Sequence, residues 1–236
     1  DIEAILEAVQ ATQKGEVISS ARSYLEAGEI PRRLSTPPHY AYLKIAEGCR
    51  KRCAYCIIPT IKGPLRSKTE EQILKEFRLL LSQGVKEVIL IAQDLGDYAK
   101  DRGSKGSSGL VSLLQALLQE SGNFWIRLLY LYPDEITPEL IEMMKSDSRL
   151  CPYLDMPIQH VNNTILQSMR RATSKEQIVE ILQRLRKEIP EISIRTSLIV
   201  GFPGETEEQF QELLAFVRTY HLEQIGIFPF SREEGS

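Results

Sequence analysis

The sequence lacks the features of a membrane protein or a secreted, cross-linked scaffold. No apolar run approaches the roughly 18 residues that a membrane-crossing helix needs, and no basic segment followed by an apolar stretch opens the chain. Cysteine is scarce, at 4 in 236 residues, and Cys49, Cys53 and Cys56 crowd into one short stretch. Such spacing does not suit a disulfide framework, which bridges distant loops. A reducing, cytoplasmic setting with no membrane partner is therefore expected. An excess of one charge is lacking too: 29 Lys and Arg against 32 Asp and Glu leave −3, so nothing global draws the chain to nucleic acid. The remainder is an ordinary globular composition, 42% hydrophobic and 26% charged, long enough for one large domain. An initial methionine is also missing, the sequence running from Asp1 to Ser236, which predicts a fragment of a longer protein.

From Tyr40 onward, short apolar runs alternate with amphipathic stretches of helical length, the pattern of parallel β/α units. Strands are predicted at Tyr42–Ala46, Glu87–Ala92, Trp125–Leu131, Tyr153–Pro157, Ser193–Val200 and Gln224–Phe228. Helices are predicted near 69–83, 110–120, 138–146, 163–170, 174–188 and 205–219. Thr69-Glu70-Glu71-Gln72 and Ser174-Lys175-Glu176-Gln177 carry capping-box spacing, and Gly84 stands where a left-handed residue ends the first of these helices. The all-apolar run Val88–Ile91 predicts burial on both faces of a parallel sheet. The fold class expected is α/β, a partial (β/α)6 TIM-like barrel with its chemistry at the carboxyl ends of the strands. The polar, glycine-rich run Lys100–Gly109 is either a mobile loop at the barrel mouth or a plain solvated connection. Before the first strand, a helix-like run (Ile2, Ile5, Leu6, Val9) leads into Pro31–Pro38, whose paired prolines favour extended backbone. Residues 1–38 thus read as an attachment and linker.

Gly48-Cys49-Arg50-Lys51-Arg52-Cys53-Ala54-Tyr55-Cys56 has the spacing C-x3-C-x2-C directly after the first strand. Three thiolates so close can hold three corners of one iron–sulfur cubane. The fourth iron would then be open, and an open metal site is where chemistry happens. Arg50, Lys51 and Arg52 would partly neutralise the negative cluster. A zinc Cys3His site, with His39 or His160 as fourth ligand, remains the alternative. Cys151 is assigned no role, and neither are the carboxylates of Glu47 and Asp155.

This motif, with an aromatic residue before its last cysteine, resembles the radical S-adenosylmethionine (SAM) superfamily. That resemblance implies a [4Fe–4S] cluster on Cys49, Cys53 and Cys56 whose open iron binds SAM. The reduced cluster would then cleave SAM to a 5′-deoxyadenosyl radical. Further words are similar to the methylthiotransferases across nearly all of residues 40–236. They include Ala46-Glu47-Gly48-Cys49, Tyr55-Cys56-Ile57-Ile58-Pro59, Gly63-Pro64-Leu65-Arg66-Ser67, Met169-Arg170-Arg171 and Val200-Gly201-Phe202-Pro203-Gly204-Glu205-Thr206. Ala92-Gln93-Asp94 and Pro157-Ile158-Gln159-His160 resemble the branch that methylthiolates the β-carbon of an aspartate in a small-subunit ribosomal protein. Methylthiolation of isopentenyl-adenosine in transfer RNA is the competing branch. A non-catalytic iron–sulfur or zinc module is the alternative of another class.

The resemblance further implies that residues 39–236 are the radical SAM domain. Residues 1–38 would then be the remnant of an N-terminal domain bearing a second [4Fe–4S] cluster in the full-length protein. A C-terminal β-barrel (TRAM) domain that grips the substrate would be absent here. A flavodoxin or ferredoxin would donate electrons. Gln93 and Asp94 are expected to accept hydrogen bonds from the SAM ammonium. Tyr55 would lie beside the adenine through its backbone or pack under the loop as a core aromatic. Gln159 and His160 would face the ribose or substrate, unless His160 is a satisfied core residue. Arg195 would pair with the SAM carboxylate or with a neighbouring acid. Gly201 would let backbone approach the adenosine, or simply make a sharp strand-to-helix turn.

Overall fold

The computed structural model describes residues 34–234. The helix-like run at Ile2–Val9 and most of the expected linker lie outside the described residues. Thr36–Ser236 forms one compact unit. Its strands are β1 (Tyr40–Lys44), β2 (Ala46–Glu47), β3 (Arg66–Ser67), β4 (Glu87–Ile91), β5 (Trp125–Leu128), β6 (Leu150–Asp155), β7 (Ser193–Val200) and β8 (Gln224–Pro229). Its α-helices are α1 (Ile58–Lys62), α2 (Glu70–Ser82), α3 (Ser108–Leu118), α4 (Pro138–Ser146), α5 (Asn163–Ser168), α6 (Lys175–Glu188) and α7 (Glu207–Tyr220).

The main sheet has the order β1-β4-β5-β6-β7-β8, each neighbour parallel to the next. β1 and β8 are its edges, so the expected α/β architecture is present as an open sheet. Because every strand runs the same way, the loops that follow them gather at one end. That end carries the site.

Local sequence explains the long helices. In α2 the Thr69 hydroxyl accepts from the Gln72 N–H at 3.2 Å while the Gln72 side chain accepts from the Thr69 N–H at 2.9 Å. Ser174 with Gln177 and Thr206 with Gln209 repeat this box at α6 and α7, satisfying otherwise orphaned N–H groups. Ile73, Phe77 and Leu80 lie on one face of α2 and are buried, as helical periodicity requires. Phe77 meets Phe124 edge to face at 5.1 Å between ring centroids.

The observed elements depart from the sequence reading in instructive places. β5 ends at Leu128, because Tyr130 turns the chain with φ 63°. β6 begins three residues early, since Leu150 pairs with Ile126. Ala46–Glu47 leaves the main sheet to pair antiparallel with β3, and this small ladder brackets the cysteine loop. Helix α1, absent from the sequence reading, has Pro59 in its first turn. The run at 100–109 starts with a 3-10 turn at Lys100–Arg102, and Asp101 accepts hydrogen bonds from the Ser67 N–H and hydroxyl at 2.9 and 2.7 Å. Its first part is thereby fastened to β3.

Replacing Phe77 by Ala removes a fully buried ring from its contact with Phe124. The expected loss is about 3–5 kcal/mol of unfolding free energy, read by urea titration of the purified chain with the m-value unchanged.

Candidate metal and cofactor site

The cysteine loop leaves β2 through Gly48 at φ 79°, where a Cβ would lie 2.1 Å from the Pro64 carbonyl oxygen. Only glycine fits there. The Cys49 N–H donates to Gly63 O at 3.3 Å, the Cys56 N–H to Cys53 O at 3.1 Å and the Ala54 N–H to Met169 O at 3.0 Å. Cys49, Cys53 and Cys56 are free thiols, with Cys53 buried and the other two partly buried. Burial pushes the Cys49 thiol up to about 11, with Asp94, Asp97 and Cys53 adding to it against a backbone hydrogen bond at Lys51. Without metal Cys49 therefore keeps its proton at neutral pH, and metal loading must displace it. Cys151 sits at the amino end of β6, near Arg127 and Glu87, at the other end of the sheet.

Lys51, between the first two cysteines, ties this loop to the sheet. Its ammonium lies 3.5 Å from Asp94, 3.4 Å from Asp134 and 3.1 Å from Glu135, and 4.8 Å from the centre of the Tyr132 ring. A second ammonium, Lys100, bridges Asp97 at 2.8 Å and Glu135 at 2.5 Å. Asp94, Asp97 and Glu135 are all buried and close enough to share one ion. With Asp134, which shares Lys51, four carboxylates face two ammonium groups here. Burial accordingly raises Asp94 from an ordinary 3.8 to about 7, with Lys51 opposing and Asp97 and Glu135 adding. Gly96 makes the crowding possible, since a Cβ there would lie 2.3 Å from Glu135.

A second cluster of groups surrounds Cys53. Its sulfur lies 3.3 Å from the Tyr132 hydroxyl, and the Arg171 guanidinium stacks 3.9 Å from the Tyr132 ring centre. Tyr55 packs with Ala54 against Ile165, Met169 and Phe202, the core-aromatic position foreseen as one option. Burial raises both tyrosine hydroxyls well above their usual range.

The remaining expected residues spread along the same end. Gln93 Oε1 and Asp94 Oδ2, just after β4, are buried acceptors with no hydrogen-bond partner. His160 is fully buried: Nδ1 accepts from the Asn162 N–H at 2.9 Å and Nε2 lies 3.2 Å from Glu205. Burial holds it neutral by lowering its pKa. It is a satisfied core histidine that braces α5 against the β7–α7 turn. Gln159 carries φ 69° and hydrogen-bonds through its backbone to β7. Arg195 pairs with Asp155 at 2.8 Å, while Asp155 Oδ1 has no partner. Gly201, at φ 74°, faces open space, and its N–H donates to Glu205 at 2.5 Å.

The family model described as the radical SAM superfamily matches residues 43–217. The chain belongs to the radical SAM superfamily. Over all 236 residues this radical SAM chain is 77% identical to "Ribosomal protein uS12 methylthiotransferase RimO" of Protochlamydia amoebophila, covering 50% of that protein. It is 62% identical to the protein of the same name from Chlamydia abortus, covering 51% of it. It is 48% identical to that from Clostridium botulinum, covering 53%. The chain thus spans about half the length of the curated relatives it matches. Among solved structures, the radical SAM methyltransferase TsrM from Kitasatospora setae aligns with a TM-score of 0.66 at 16% identity, over 84% of this chain and 39% of that one. Methylornithine synthase (PylB) aligns at 0.57 and 16% identity, over 84% and 55%. These two likenesses speak to the fold.

The residues present fit the [4Fe–4S] cluster and SAM of a radical SAM protein. Three thiols share one loop, Asp94 Oδ2 meets the Lys51 ammonium of that loop only at 3.5 Å, and the neighbouring Gln93 Oε1 is a buried acceptor without a hydrogen-bond partner. The zinc alternative loses its fourth ligand: both ring nitrogens of His160 are engaged, and His39 precedes β1 at the far end of the sheet. Sequence reasoning gave no role to Asp97, Tyr132, Glu135 or Arg171, and expected Lys51 only to offset the charge of the cluster, not to pair with the acids after β4 and β5. A signal was available in Tyr132-Pro133-Asp134-Glu135, an aromatic and acidic run directly after a predicted strand.

Asp94 binds its proton more tightly folded than unfolded, so its contribution to stability is full near pH 4 and lost as pH rises through about 7. In the metal-free chain, Asp94→Asn removes this loss. The stability of D94N relative to wild type is expected to grow by up to about 4 kcal/mol between pH 4 and pH 8, measured by chemical denaturation at each pH.

Proposed function

We propose that the chain is the catalytic core of a methylthiotransferase acting on the β-carbon of an aspartate in a small-subunit ribosomal protein. The observation that carries this reading is the loop Gly48–Cys56, with three free thiols at the carboxyl end of a parallel sheet beside unsatisfied acceptors. The name shared by the relatives supports the substrate. Nothing in the geometry favours the transfer-RNA branch.

Cys49, Cys53 and Cys56 would hold the cluster. When bound, it supplies the electron that cleaves SAM and yields a 5′-deoxyadenosyl radical able to abstract hydrogen from an unactivated carbon. Gln93 and Asp94 would receive the SAM ammonium. That cation would offset part of the excess of carboxylates over Lys51 and Lys100, taking the place of the proton on Asp94. Arg195 keeps part of its surface open while paired with Asp155, so it can turn N–H groups toward a carboxylate. Backbone at Tyr55, Gln159 and Gly201 would border the adenosine, with His160 holding Gln159 in place from below. Ile165, Met169 and Phe202 pack against Ala54 and Tyr55, an apolar cluster that would help exclude water beside the cysteine loop.

The full-length protein would add the second cluster as sulfur source and the TRAM domain for substrate docking, with a flavodoxin or ferredoxin as donor in the cytoplasm. Free thiols agree with a reducing compartment. Among the described residues, no helix is long and apolar enough to cross a membrane.

Anaerobic reconstitution with iron and sulfide, then dithionite and SAM, is expected to yield 5′-deoxyadenosine by chromatography. Cys53→Ala should cut the yield by at least about 100-fold, a scale set by the 10²-fold and larger losses when one stabilising group of a site is removed. An intact cluster that produces none contradicts the reading.

A further inference from the structure

Arg171 is a buried guanidinium, 8% exposed, and among the described residues no carboxylate is paired with it. Its Nη2–H donates to the Pro157 carbonyl at 2.5 Å, its plane lies on the Tyr132 ring, and Nη1 has no hydrogen-bond partner. A buried charge without a counter-ion is among the most costly features a fold can keep. The hydroxyl of that Tyr132 lies 3.3 Å from the Cys53 sulfur. This contact points to the cysteine loop. The backbone does so as well, since the Met169 carbonyl, two residues before Arg171, accepts the Ala54 N–H next to Cys53.

We propose that Arg171 and Tyr132 are positioning residues for the cluster's electron chemistry: Arg171 supplies the counter-charge and Tyr132 an O–H donor to the Cys53 thiolate. The inference rests on the assignment of the cluster to Cys49, Cys53 and Cys56. Positive charge and hydrogen bonds at a cluster sulfur stabilise the more negative, reduced state. Together they raise the reduction potential and bring the cluster within reach of a biological donor. The step affected is a one-electron reduction with no bond made or broken. In the test below the electron comes from dithionite, which is oxidised to sulfite.

The test is a redox titration of the anaerobically reconstituted chain, followed by the EPR signal of the reduced cluster. It compares wild type with Tyr132→Phe, Arg171→Lys and Arg171→Met, each first checked for iron content, visible absorption and far-UV circular dichroism. Y132F keeps the ring and its stacking but removes the donor, and is expected to make reduction several-fold less favourable. R171M is expected to make it about tenfold less favourable, equivalent to 59 mV for one electron, and R171K should recover most of that. A wild-type chain that takes up no cluster overturns the underlying assignment. Loaded variants whose potentials match wild type overturn this inference alone. So does loss of cluster in R171M accompanied by an unshifted potential in Y132F, because that pattern marks a purely structural role.

Discussion

The loop Gly48–Cys56 has no hydrophobic core of its own, so its shape is imposed from outside, chiefly through Lys51. That ammonium is held at once by an acid following β4 and two following β5. Exposed ion pairs are worth little, but Asp94 and Glu135 are buried. Breaking a buried pair costs about 3–5 kcal/mol because it strands the partner charge. The loop is thus locked to β4 and β5 by an interaction that neither side can release cheaply. The β2–β3 ladder and the Ala54–Met169 hydrogen bond fix its remaining freedom.

The same constraint shapes the electrostatics. Strands all running one way bring the acids after β4 and β5, the pair made by Asp155 at the end of β6 with Arg195 on β7, and the Gly201 turn to one end. The acids and ammonium groups divide this end into two regions of opposite character. Around Asp94, Asp97, Asp134 and Glu135 the carboxylates outnumber the ammonium groups. Around Cys53, the Arg171 guanidinium leaves one positive charge without a carboxylate. A cationic ammonium and an anionic cluster are the two ligands that would offset these excesses. Both imbalances would be costly in a fold without ligands.

Much of this was legible in the sequence because the signals were local. Capping boxes at Thr69 and Ser174 marked helix starts to within a residue, and apolar runs such as Val88–Ile91 marked buried strands. The three cysteines pointed to the loop where the structure keeps three free thiols. Interactions between distant segments were not legible. No pattern near Lys51 tells that Asp134 will lie beside it, and Met169-Arg170-Arg171 can be recognised as a motif without showing that Arg171 is buried against Tyr132. Strand ends also moved where a backbone turn, such as Tyr130 in the left-handed region, overrode an apolar run that continued past it.

The central claim is that the polypeptide holds three irons and leaves the fourth for SAM. Mössbauer spectroscopy of the chain reconstituted with iron-57 tests it most directly, with and without SAM. One iron site in four should change its isomer shift when SAM is added, while the other three keep theirs. Four sites that stay alike, with or without SAM, would contradict the account.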